Sequence, residues 1–204
     1  MRNLTTAALA LALTALAGAA AAHTGEGIQG GLISGFTHPI YGWDHVVAMV
    51  AVGLWGAFLG KPAIWILPVV FPLVMALGAA AGIAGIPVPA VETGIALSGV
   101  VLGLMVALAV RAPLWVAAVM VGAFAIFHGH AHGAEFEGYA TVTDGSTPPN
   151  PFAYAVGFVA GTGLLHLIGI GFGYLTKVPM GQWVIRAGGV AIAVVGAMFL
   201  TGYA

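Results

Sequence analysis

Residues 63–84 read AIWILPVVFPLVMALGAAAGIA, without one Asp, Glu, Lys or Arg. A helix needs about 20 apolar residues to cross the hydrocarbon core of a bilayer, and this stretch is long enough. Five more stretches of the same kind flank it, at about 38–60, 91–110, 113–133, 152–175 and 183–203. The rest of the chain agrees. Of 204 residues, 61% are hydrophobic and only 5% are Asp, Glu, Lys or Arg, where a soluble domain carries about 25% charged residues. Five basic and six acidic side chains cannot cover a soluble fold of this size, and the mean hydropathy of +1.08 says the same. The expected fold is all-α: a six-transmembrane-helix bundle with no domain boundary inside it.

Ahead of the spans, Arg2, the apolar run Leu4 to Leu16 and the small residues Ala20, Ala21 and Ala22 follow the order of a secretory signal peptide. A retained first helix is the weaker reading, because the apolar run is short and Gly18 to Ala22 is too small to anchor. Cleavage after Ala22 gives a signal segment 1–22 and a mature six-helix domain 23–204 that begins at His23. Starting outside and threading six times, that domain puts Lys61, Arg111, Lys177 and Arg186 on the inner side. Glu26, Glu92, Glu135, Glu137 and Asp144 fall on the outer side. Every mature basic residue inside is what the positive-inside rule requires. Both mature termini then face outward. An outer loop is expected from about Gly133 to Pro151, where Pro148, Pro149 and Pro151 cluster.

Small residues four apart mark close helix packing: Gly56/Gly60, Gly78/Gly82, Gly99/Gly103, Gly157/Gly161 and Gly169/Gly173. Pro68 and Pro72 bracket Phe71 in the second span and free two backbone carbonyls, which suggests a kink beside a polar path.

Ionisable groups inside a span are functional by default, and here they gather in two segments. The first is His38-Pro39-Ile40-Tyr41-Gly42-Trp43-Asp44-His45. On one continuous helix, His38 and His45 share a face but stand roughly 10 Å apart along the axis. Pro39 fits a first helical turn, with His38 as the cap. That arrangement predicts two stations, one at the mouth and one deeper. The second segment is Phe127-His128-Gly129-His130-Ala131-His132-Gly133-Ala134-Glu135. His128 and His132 stand at i and i+4, where two imidazoles can share a metal, and Glu135 follows one turn later. His130 points away if the segment is helical. Glu92 at the outer start of the third span and His166 midway along the fifth complete the set. Each also has a plain reading, as a helix-dipole partner and as a histidine bonded to a helix carbonyl.

Imidazole and carboxylate without thiolate suit borderline divalent ions: nickel, cobalt, zinc or copper(II). Zero cysteines exclude thiolate sites, and scattered methionines read as core filler. A net charge of −1 argues against nucleic acid. The chain has no G-x-x-x-x-G-K-[ST] phosphate loop, so it does not itself use ATP. Ala96-Leu97-Ser98-Gly99 is a near miss to an intramembrane serine protease motif, and it leaves both histidine segments unexplained.

The double pattern H-x5-D-H at His38, Asp44 and His45, then F-H-G-x-A-H-G-x-E from Phe127 to Glu135, resembles the HupE/UreJ family of bacterial inner-membrane secondary permeases. The resemblance covers the whole mature chain and both motifs in order. It implies uptake of nickel, and in some members cobalt, across the bacterial inner membrane, with the mature termini periplasmic. It also implies importance for His38, Asp44, His45, Phe71, Glu92, His132 and Glu135. His128 and His23 are further candidate ligands from the residues themselves: at a free N-terminus, the amine and imidazole of His23 could close a chelate ring. No cofactor is required, the ion being cargo. The implied partners are a divalent metal ion and the lipid bilayer, with a homo-oligomer allowed and no ATPase subunit evident. A zinc or copper(II) permease is the nearest rival.

Overall fold

The computed structural model describes residues 31–140 and 150–203; the signal segment 1–22, His23, Glu26 and Asp144 lie outside the described residues. Among those residues are seven α-helices and no strand. They are α1 Leu32–Tyr41, α2 Trp43–Leu59, α3 Ala63–Ile83, α4 Val91–Ala107, α5 Leu114–Ala140, α6 Pro151–Gly173 and α7 Gly181–Thr201, with a 3-10 turn at Tyr174–Lys177. Four helical stretches are long and apolar enough to cross a membrane: Ala63–Ile83, Leu114–Glu135, Phe152–Lys177 and Gly181–Thr201. The pair α1 and α2 passes the same test only as one span bent by 84°, and α4 is a shorter apolar helix. This is the make-up of a multi-pass membrane protein.

Two expectations need correction. The first span is not one helix opening at His38. His38 and Pro39 sit in the last turn of α1, and α2 starts afresh after Gly42. Gly42 is extended (φ −82, ψ 105). The break falls there because glycine is a poor helix former and Pro39 has already removed a donor from the turn before it. The outer loop also starts later than Gly133, since α5 continues to Ala140. Nothing between Gly133 and Ala140 lacks an N–H, and the first proline beyond is Pro148.

Most of the spaced glycines seat one helix on another. A side chain at Gly78 or Gly82 of α3 would fall on the carbonyls of Ile126 and His130 in α5, and at Gly129 or Gly133 of α5 on those of Met75 and Ala79. Gly157 and Gly161 of α6 meet the Leu32 and Phe36 carbonyls of α1; Gly169 meets the Val50 carbonyl of α2. Gly103 of α4 lies against Ala193 and Gly189 of α7. Gly60 is the exception: it has open space around it and a φ of +81, so it ends α2 rather than packing it. α3 runs unbroken through Pro68 and Pro72, with Phe71 buried.

The threading separates charge. Arg111 lies over the Phe58 ring, 5.4 Å from its centroid, and Arg186 Nε donates to the Ala107 carbonyl at 2.7 Å. Trp55 Nε1 donates to the Val110 carbonyl at 3.0 Å. Gly173, just before the turn of Lys177, is seated on Ala57 near the end of α2, so the turns that carry Lys61, Arg111 and Lys177 share one end of the bundle. The α3–α4 turn and the histidines of α5 share the other, joined by a 2.8 Å hydrogen bond between His130 Nε2 and the Ile86 carbonyl.

Candidate metal centre

The bend at Gly42 shapes the site. A β-carbon on Gly42 would stand 3.0 Å from Asp44 Oδ1 and 3.1 Å from His45 Nδ1, so the break also leaves room for this pair. Asp44 Oδ1 lies 2.9 Å from His45 Nδ1. The carboxylate favours a proton on that nitrogen and frees Nε2 as the donor atom, the arrangement that orients metal-binding histidines elsewhere. His45 Nε2 is in turn 2.6 Å from His132 Nε2 of α5. One imidazole donates to the other at that separation. A tetrahedral ion with bonds of about 2.1 Å would hold them roughly 3.4 Å apart, so binding requires a small parting of α2 from α5.

His38, His132 and Glu135 each present a ligand atom within 4.8 Å of the other two. His38 Nε2 and His132 Nδ1 lie 3.6 Å and 3.7 Å from Glu135 Oε2. The His132 ring lies 4.7 Å from that of His38 and 4.5 Å from that of His45, and His45 lies 4.6 Å from His128. The expectation of two separate stations on one helix is thus replaced by a connected line of rings. The 84° bend removes the axial spacing that a straight helix would have imposed. Side-chain exposure falls along the line, from 28% at His38 and 25% at Glu135 to 5% at His132 and 3% at His45. His128 is fully buried.

Because α5 is helical through this segment, His130 leaves the group and bonds the α3–α4 turn. Glu92 is exposed in the first turn of α4 and is not one of the three residues of the His38, His132 and Glu135 group. Phe71 stands deeper, its ring centroid 5.5 Å from that of His128 and 5.6 Å from that of His166. His166 is buried, and among the described residues neither of its ring nitrogens has a hydrogen-bond partner. A helix carbonyl therefore does not explain it.

Sequence reasoning passed over three contributors. Ser98 Oγ lies 2.6 Å from the Ile95 carbonyl and 2.9 Å from His128 Nε2. The carbonyl can only accept, so the hydroxyl proton goes to it and His128 donates its Nε2–H to the Ser98 oxygen. The geometry opposes a serine nucleophile activated by this histidine, and it leaves His128 Nδ1 with a free lone pair. Tyr154 and Phe158 of α6 form a wall, each with its ring centroid 6.1 Å from that of His38. The i, i+4 run Tyr154, Phe158, Thr162, His166 was visible in the sequence, but its aromatic members look like any packed helix face.

The profile of the family described as HupE / UreJ protein matches residues 11–199. The chain is 46% identical over 201 residues to the Protein HupE of Rhizobium leguminosarum bv. viciae, covering 98% of each chain. No solved structure matches.

Proposed function

The chain belongs to the HupE/UreJ family, and from that premise we propose that it carries a divalent transition-metal ion, nickel first and cobalt second, into the cell as a passive or secondary permease. The observation that supports this most is the line of buried imidazoles with carboxylates at its wide end, inside an otherwise apolar bundle. So many polar groups are not buried to no purpose.

In this reading Glu135, His38 and His132 take the ion from the outer side, and His45, oriented by Asp44, receives it with His128. Glu92 raises the local cation concentration at the mouth, and His23 of the cleaved chain collects trace metal. Phe71 and His166 lie further along the path. The protein sits in the bacterial inner membrane with six spans, a cleaved signal peptide and periplasmic termini. The four basic residues at the opposite end of the bundle agree with that orientation. A membrane potential of 100 mV supplies about 2.3 kcal/mol per charge, so roughly 4.6 kcal/mol for a divalent ion. That is enough to drive uptake without ATP.

Calorimetric titration of the purified protein with nickel, cobalt, zinc and copper, beside cellular accumulation of each, tests the reading. Nickel or cobalt should bind and accumulate best. Preferential accumulation of zinc would make the chain a zinc carrier instead.

A further inference from the structure

Tyr154 and Phe158 face the imidazole line, and the same face of α6 carries Thr162 one turn deeper and His166 one turn deeper again. Both are buried, at 0% and 1% exposure. Among the described residues, the Thr162 hydroxyl and both His166 nitrogens have no hydrogen-bond partner. The hydroxyls of Thr37, Thr176 and Thr201 each donate to a carbonyl three or four residues back. Thr162 does not use that ordinary way of satisfying a helical threonine.

The backbone here has no freedom to turn these groups elsewhere. Gly53 of α2 is seated against the His166 carbonyl, and Gly169 against the Val50 carbonyl. On the near side, the Phe71 ring contacts His166 and His128 at almost equal distances.

We propose that His166 and Thr162 form an inner station for the divalent cation, reached from His128 past the Phe71 ring. One His166 nitrogen binds the ion, and the Thr162 hydroxyl holds one of its remaining waters. A single imidazole and a hydroxyl make a weaker donor set than the outer group. A path that must release its ion needs such a set at its inner end. This inference rests on the uptake reading and adds to it a second site.

The test uses the full-length protein with His166→Ala, His166→Gln, Thr162→Val and Thr162→Ser. Each variant is assayed for initial nickel uptake in cells, nickel affinity after purification, and melting temperature. The His166 variants should lose roughly tenfold or more of the maximal uptake rate, as expected when a bond to a charged group is lost. Half-saturation and the affinity of the outer group should stay unchanged. Thr162→Val should lower the rate while leaving the melting temperature equal or higher, because it removes a buried hydroxyl that bonds nothing in the protein; Thr162→Ser should restore the rate. Wild-type maximal rates in His166→Ala and Thr162→Val would overturn the inner station alone. So would a rate that falls only in proportion to the amount of folded protein. A wild-type chain that accumulates none of the four metals would overturn the uptake reading and this inference with it.

Discussion

Asp44 touches His45, and His45 touches His132, so one substitution at the start of α2 disturbs donors on two helices. Asp44→Asn keeps the shape of the side chain but removes the charge that holds the imidazole, and His45→Ala removes the link itself. Both should abolish nickel accumulation at unchanged protein level; near-normal uptake in the two variants would rule out this pair as part of the path. Ser98 works more gently. It fixes which nitrogen of His128 carries the proton, and a net hydrogen bond is worth about 1 kcal/mol. Ser98→Ala should therefore lower the uptake rate roughly five-fold, and a complete loss would point to a direct role for the hydroxyl. His130 bonds a backbone carbonyl away from the other rings. His130→Ala should leave the uptake rate close to wild type, while His132→Ala should eliminate it. The contrast was legible from helical periodicity alone, because 100° per residue sends alternate histidines to opposite faces. The partner of Ser98 was not legible, since thirty residues and a helix turn-back separate it from His128.

The contact of α3 with α5 positions three of the site's aromatic rings, Phe71, His128 and His132. It depends on backbone approach rather than on side-chain interlock. A methyl at Gly129 would occupy the place of the Met75 carbonyl, and two helices cannot separate there without moving the imidazoles beside it. Gly129→Ala should yield little folded protein by size-exclusion chromatography in detergent. Gly163→Ala, at a position with nothing within 4 Å, should behave as wild type; equal yields from both would show that the two helices are not held this closely. The positions of the helices were readable in the sequence to within a few residues, because apolar length is a local property. Two element boundaries were not. α1 ends at Gly42, where the chain turns by 84°, and α5 carries on past Gly133, which is packed against α3. Glycine ends helices in some places and joins them in others, and only the neighbour distinguishes the two.

Across the whole molecule, charge and exposure are arranged end to end. The basic turns lie at one end; His38, Glu135 and the α3–α4 turn lie at the other. The chain has no cysteine, so one introduced thiol reports on its own location. Ile86→Cys, on the exposed α3–α4 turn, should react with a membrane-impermeant maleimide added outside intact cells. Lys61→Cys should react only after the membrane is opened, and the reverse pattern would invert the assigned orientation. By itself the sequence determined the apolar solvent, the helical class and the imidazole and carboxylate make-up of the candidate donors. Each depends on composition or on residues within a turn or two of one another. The tertiary structure alone decided how the rings of the two histidine segments join in one line and that Ser98 bonds His128 within it. Those outcomes depend on which helix lies against which. Here that choice is made by glycines meeting carbonyls of distant segments, a complementarity of surfaces that no local pattern of residues expresses.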